Sequence, residues 1–363
     1  MAACAAASVS ASPGPAPKVY AISDVHTDHA ANWQWVLSLS RTAYLHDALI
    51  LAGDVSDDTA VLEATLRECT ERFSTVVFVP GNHDVWCARK ASTPSADSYS
   101  KLKDLQSLCA RLGVHTRPVV VGGEQEGATP VLLVPLLSWY HASFDTEPPV
   151  PLLEVPSPRR VMTDFAVCRW PAGVDDSTDD VAVLWDAAND EDWASAGFDP
   201  DAAAARQMAP NVISCSHFLP RMELVPEKRF LFYPNLPQAV GSTYLGSRVA
   251  HLRPDVHVFG HTHFAYDLTL PDDGIRYLQA ALSYPNERQS RMSTIAIGDI
   301  HAAPVLVYDS AGQGQFAPKY SCRWSEYYAA HPRRPHCPDI PPWVSKRYRR
   351  RDETQPPAQA PVP

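Results

Sequence analysis

Three apolar runs near the start of the chain stop at the same kind of polar edge. "VYAIS" (19–23) leads into Asp24-Val25-His26, "ALILAG" (48–53) into Asp54, and "TVVFVPG" (75–81) into Asn82-His83-Asp84. The runs lack polar alternation, which suits strands covered on both faces. Between them lie "NWQWVLSLS" and "AVLEATLRECTERF", helical stretches that suit right-handed parallel crossovers. The order β-α-β-α-β follows, and in such sheets the ligand crevice lies at the carboxyl ends of the strands. Gly81 with Asn82 alone is ordinary turn chemistry. Three strand ends in phase, two of them carrying His, call for one shared site.

The device recurs later. After a helical stretch "SKLKDLQSLCARLG" and an apolar run "VLLVPLL", the pattern dissolves between about Ser143 and Ala209 into Pro- and Asp-rich sequence. That stretch reads as a solvated loop or lid insertion. The alternative is a cap over the crevice, with Trp170, Trp185 and Trp193 in apolar contact. Order returns with "NVISCSHFLP", ending in Ser216-His217, and with "DVHVFGHTHF", carrying His261 and His263. "YDLTLPDDGIRYLQAAL" reads as two strands about an Asp-Gly turn, and "MSTIAIGD" and "APVLVYDS" as further strands. The layout is a leader at 1–17, one α/β domain over 18–318 that contains the insertion, and a Pro-rich, basic tail at 319–363 that reads as a solvated end.

Composition narrows the class. Of 363 residues, 45% are hydrophobic, enough for a sizeable core. The net charge of −10 disfavours a surface that attracts polyanions, so nucleic acid is not the default partner. The eight cysteines form no C-x-x-C pair and read as reduced thiols, not as zinc ligands. The leader lacks a basic n-region and a continuous apolar core, which sets aside a secretory signal; disorder is expected, with an organelle transit peptide as the alternative. No run is long enough to span a membrane. A cytoplasmic location is expected.

Asp24 and His26 stand two apart, so on an extended chain their side chains leave on the same side and can close on one ion. His261 and His263 repeat that spacing. Carboxylates with imidazoles and no thiolate suit Mn, Fe or Zn with five or six ligands better than a structural zinc. Seven candidates, Asp24, His26, Asp54, Asn82, His217, His261 and His263, are too many for one ion and about right for two if Asp54 bridges. Two ions roughly 3.5–4 Å apart serve in-line displacement at phosphorus.

The ordered set Asp24-x-His26, Gly53-Asp54, Gly81-Asn82-His83-Asp84, Ser216-His217 and Gly260-His261-x-His263 resembles the signature of the calcineurin-like metallophosphoesterases, from about Val19 to His263. The one departure is Ser-His where many relatives carry Gly-His. The resemblance implies a four-layer α/β/β/α sandwich, two packed mixed sheets with flanking helices. It implies that Asp24, His26 and His263 hold one ion with Asp54, and that Asn82, His217 and His261 hold the second with Asp54 again. By the same likeness His83 faces substrate as acid or transition-state stabiliser, and Asp84 holds its imidazole in the useful tautomer.

The activity so implied is hydrolysis of a small phosphomonoester or phosphodiester. A nuclease or nucleotide phosphodiesterase is the alternative enzyme, and a non-catalytic scaffold the alternative class. The histidines outside these motifs read as surface or satisfied core residues, with His29 able to reach the mouth of the site; Cys87 and Cys215 read as packing residues. Specificity is expected from the insertion, from side chains near Trp86 and Arg89, and from "YPNER" at 284–288.

Overall fold

The strands of the first sheet are short and almost entirely buried, as their unalternated runs require. In the computed structural model, which describes residues 14–87, 96–150, 153–290 and 303–348, β1 is Lys18–Ile22, β2 Ala48–Leu51 and β3 Thr75–Phe78. They pair in parallel in chain order, Val19 against Ala48 and Leu49 against Val76. The crossovers are helices α1 (Ala30–Ser38) and α2 (Thr59–Thr70), the latter started by Asp58, whose carboxylate accepts from the amides of Ala60 and Val61.

A second sheet follows: β4 (Val119–Val121), β5 (Val131–Pro135), β6 (Asn211–Cys215), β7 (Val256–Phe259), β8 (Tyr266–Thr269) and β9 (Arg276–Gln279), in the spatial order 4-5-6-7-9-8. β5, β6, β7 and β9 are parallel, and the edge strands β4 and β8 antiparallel. The Asp-Gly hairpin is the β8–β9 pair. β10 (Val305–Asp309) and β11 (Gln315–Phe316) return to the first sheet beside β1. This is an α/β fold of two mixed sheets with flanking helices. The expected strand at 292–299, the leader through residue 13, and Arg89 lie outside the described residues.

Period two explains why β5 is apolar throughout. Val131 and Leu133 enter the same core as Ile50 and Val77 of the first sheet, while Leu132 and Val134 face a second core with Val249, Leu252 and Phe259. Burying one such side chain is worth about 1.5–3 kcal/mol, so a register slip that exchanged the two faces would be costly.

Two stretches depart from the sequence reading. The 143–209 segment is not a solvated loop: it contains a 17-residue helix, Asp180–Ala196, with Trp185 and Trp193 buried in the two cores. These tryptophans pack the domain and do not line the crevice, and Trp170 meets Trp139 edge-on with ring centroids 4.8 Å apart. The tail is not a solvated end through residue 348. Its helix Arg323–Ala330 lies against β8, Val344 is fully buried, and the Trp343 indole donates to the Phe230 carbonyl. A buried Arg276–Asp267 pair anchors the start of the tail: Arg276 donates to the carbonyls of Ala317 and Pro318, and Asp267 accepts from the Tyr320 amide.

Candidate metal centre

The strands β1, β2 and β7 are each followed at the crevice by a sharp reversal. Asp24, His26, Asp54, His261 and His263 all have positive φ, between 39° and 76°, in the region that non-glycine residues avoid at about 1–2 kcal/mol each. Hydrogen bonds between the loops hold them there. The Asp24 amide donates to the Gly53 carbonyl at 2.9 Å, the His26 amide to the Asp54 carbonyl at 3.0 Å, and the His261 amide to the Asp24 carboxylate at 3.0 Å. The glycines of the motifs make the close approach possible. A Cβ on Gly53 would sit 2.4 Å from His217 Nδ1, and one on Gly81 2.2 Å from Asp54 Oδ1.

All seven candidate ligands converge. Atoms of Asp24, His26, Asp54 and His263 lie within 4.8 Å of one another, as do atoms of Asp54, His217 and His261; Asp54 is common to both groups. Asn82 Oδ1 joins the second group, 3.1 Å from His217 Nε2 and 3.0 Å from His261 Nδ1.

The donor chemistry fits metal ions. His217 Nδ1 lies 3.0 Å from the Ala52 carbonyl and His261 Nε2 2.9 Å from the Ala239 carbonyl. A carbonyl only accepts, so each of these nitrogens carries the hydrogen and the other nitrogen of each ring presents a lone pair. Burial lowers the His217 pKa to about 3 and lowers that of His261, keeping both rings neutral. Two lone pairs and the Asn82 oxygen therefore face one another with no hydrogen among them, an arrangement a cation satisfies. In the first group His26 Nε2 and His263 Nε2 are 3.1 Å apart, and His26 Nδ1 is buried without a hydrogen-bond partner among the described residues.

Charge points the same way. Burial, then the neighbouring Asp24 and Asp84 carboxylates, push the Asp54 carboxyl well above its ordinary range. Burial alone would raise Asp24, but His263 holds it down at about 2; burial alone would lower His263, but Asp24 and then Glu287 lift it to about 9. The site is short of positive charge, and its carboxylates compete for protons.

His83 faces outward from this cluster. Its ring stacks on Trp86 at 3.7 Å, its Nε2 lies 3.8 Å from Asp54 Oδ2, and the Tyr284 hydroxyl is 3.3 Å away. Asp84 corrects the sequence reading. Its carboxylate accepts from four backbone amides, Asp54 and Gly81 on one oxygen and Val55 and Ser56 on the other, so it ties the loops together and leaves the His83 imidazole to other neighbours. Among the other histidines, His257 is a satisfied core residue, with ring nitrogens 2.8 Å and 3.0 Å from the hydroxyls of Ser214 and Ser216. His29 is exposed, its ring 5.2 Å from that of Tyr284.

Residues 17–265 match the family model described as calcineurin-like phosphoesterase. The chain belongs to that family. A curated relative, the [acyl-carrier-protein] phosphodiesterase PptH of Mycobacterium tuberculosis, is 28% identical over 287 residues, which cover 77% of this chain and 81% of the relative. The crystal structure of phosphopantetheinyl hydrolase (PptH) from M. tuberculosis resembles this fold with a TM-score of 0.57 at 22% identity, covering 77% of this chain and 93% of that one. Among the described residues no helix is long and apolar enough to cross a membrane.

Three features of this phosphoesterase site escape the motif reading. Glu287, in "YPNER", accepts from or shares a proton with His263 Nδ1 at 2.6 Å; it follows β9, another strand ending at the crevice, which is the signal that could have singled it out. Asp164, from the insertion, accepts from Asn82 and has no local sequence signal. The third is a groove of about 1010 Å³ that runs from Asp54, Asn82 and His83 to an aromatic wall including Phe264, Trp324, Tyr327 and Trp343, much of it supplied by the tail.

Proposed function

We propose that this chain hydrolyses phosphodiesters in which one ester arm is long and uncharged. Asp24, His26, His263 and Asp54 would hold one metal ion, and Asn82, His217, His261 and Asp54 the second, with Mn, Fe and Zn all suited to such donors. Such a pair supplies a water acidic enough to attack near neutral pH, and positive charge for the phosphoryl oxygens. The neutral Asn82 limits the negative charge on its side. His83, on the groove side of the cluster, is placed to donate a proton to the leaving oxygen or to hydrogen-bond a phosphoryl oxygen. Tyr284 and Trp86 hold that ring against rotation.

The observation that carries the diester reading is the groove. A monoester's phosphate would occupy only the end beside Asp54 and His83, leaving the aromatic wall without a role. Among the described lining residues Arg323 is the one lysine or arginine, set against Glu287 and Glu326. That balance suits an uncharged arm and opposes a nucleic acid, whose affinity would come from phosphate neutralisation. PptH, named as an acyl-carrier-protein phosphodiesterase and a phosphopantetheinyl hydrolase, points to one such arm, an extended chain of amides. By that likeness a phosphopantetheinylated carrier protein is the first substrate to try.

The test compares Mn²⁺-loaded protein on a phosphopantetheinylated carrier protein, a small aromatic diester and an aromatic monoester. The expected result is loss of the phosphopantetheinyl mass from the carrier, with kcat/KM about tenfold or more above the small diester, the value of a few apolar contacts. Equal rates on both diesters would remove the role of the groove. No turnover on any ester, with two metals bound, would remove the phosphoesterase activity itself.

A further inference from the structure

Among the described residues of the insertion between 143 and 209, Asp164 hydrogen-bonds a candidate metal ligand directly. Asp164 lies in the short helix Asp164–Val167, 2% exposed, and among the described residues it has no ion-pair partner. Three neutral donors surround its carboxylate instead. Asn82 Nδ2 and Trp86 Nε1 both donate to Oδ1, at 2.9 Å and 2.7 Å, and the Tyr140 hydroxyl donates to Oδ2 at 3.0 Å.

The first of these contacts decides which way the Asn82 amide points. An amide presents an acceptor oxygen on one side and a donor NH₂ on the other, and only the oxygen can serve as a metal ligand. A carboxylate accepts and never donates when ionised, so Asp164 holds the NH₂ and turns Oδ1 toward His217 and His261. A flipped amide would set oxygen against carboxylate on one side and NH₂ among the imidazole lone pairs on the other. The second contact fixes the indole on which the His83 ring stacks, with ring planes 28° apart. One buried carboxylate thus orients a ligand and the platform of a catalytic imidazole.

We infer that Asp164 is a positioning residue for the second metal ion, acting through the Asn82 amide, and that the insertion is for this reason an integral wall of the metal site. The inference rests on the dinuclear reading given under Proposed function. It goes further by assigning a role in metal binding to a residue that belongs to none of the five motifs. It also accounts for a buried carboxylate without a counter-ion, because the positive charge it faces would lie just beyond Asn82.

The experiment titrates metal-free wild type, Asp164→Ala and Asp164→Asn with MnCl₂ by calorimetry, and reads the exchange-coupled two-manganese signal by electron paramagnetic resonance. Wild type should bind two ions; fewer would overturn the dinuclear reading and this inference with it. In folded Asp164→Ala the second ion should bind about 10–100-fold more weakly, the usual loss on removing a partner of a metal ligand, while the first stays within about threefold. The coupled signal should fade at Mn²⁺ concentrations that saturate wild type. Asp164→Asn, which keeps an oxygen able to accept from Asn82 and Trp86 but loses the charge, should lie between the two. Unchanged affinity for both ions in folded Asp164→Ala would overturn the inference and leave the dinuclear site standing. Equal weakening of both ions, or failure of both variants to fold even in saturating Mn²⁺, would reduce Asp164 to a purely structural part and overturn it likewise.

Discussion

His26 Nε2 and His263 Nε2 face each other across 3.1 Å, with Asp24 Oδ1 a further 3.2 Å from His263 Nε2. Without a cation the cluster holds together by protons. His263, lifted to about 9 by Asp24 and Glu287 against the pull of burial, keeps its proton at pH 7, and burial, then Asp24, raise the Asp54 carboxyl well above its ordinary range.

Metal uptake at pH 7 should therefore release protons, because His263 must be stripped to act as a ligand, and with it any proton that Asp54 holds. The sign follows directly: the metal-free protein binds more protons than the loaded one, so apparent metal affinity rises with pH and levels off above about pH 9. Calorimetric titrations of Mn²⁺ in buffers of different ionisation enthalpy should show about one to two protons released per pair of ions. A heat that does not change with buffer would contradict this.

Glu287→Gln tests the other side of the same ring. Glu287 Oε2 lies 2.6 Å from His263 Nδ1, and a carboxylate there fixes the ring and makes the opposite nitrogen more basic. The amide keeps the size and loses the charge. Affinity at the Asp24–His26–His263 group should fall by about 10–100-fold, and proton release at pH 7 should shrink because the His263 pKa drops. A titration that shows the loss on the Asn82 side instead would mean that the ligand groups are divided differently.

His83→Ala should keep both metals and lose turnover. The ring meets the cluster at its outer face, 3.8 Å from Asp54 Oδ2 and edge-on to His26 with ring centroids 4.8 Å apart, and its backbone amide, which donates to Asp54 Oδ1 at 3.0 Å, survives the substitution. The loss in kcat should be about 10²–10⁴-fold. It should be largest for esters with poor leaving groups, which depend most on a proton at the leaving oxygen. Unchanged kcat across a series of leaving groups would take His83 out of the reaction.

The sequence made the strand-end candidate ligands readable because one rule generates them all: apolar runs mark parallel strands, and the crevice lies at their carboxyl ends. Asp24, Asp54 and Asn82 follow from local pattern alone. Asp164 does not, since its partner Asn82 is 82 residues away and nothing in "MTDFAV" distinguishes a carboxylate aimed inward from one in solvent. The tail was misread for a related reason. Proline-rich sequence reports on regular hydrogen bonding, but says little about where Trp324, Tyr328 and Val344 will find apolar partners. Asp84 was misassigned because adjacency to His83 suggests contact, whereas the 3₁₀ turn His83–Val85 directs the carboxylate back to the strand-end amides.

Asp84→Asn separates these two roles of the carboxylate. Burial raises its carboxyl to about 6, so at pH 7 it is ionised and each oxygen can accept from two amides. An asparagine offers one oxygen for two of the four and turns an NH₂ toward the others, leaving buried N–H groups facing N–H groups. The expected loss is about 3 kcal/mol of folding stability, from unsatisfied amides and a lost charge-assisted contact. Asp54 and Gly81 share one acceptor oxygen, so slackening there should weaken both metal groups together, unlike Asp164→Ala or Glu287→Gln, each of which weakens one. Chemical denaturation and Mn²⁺ titration of the same variant check both halves. A variant of undiminished stability and metal affinity whose kcat alone falls would instead return Asp84 to the His83 imidazole.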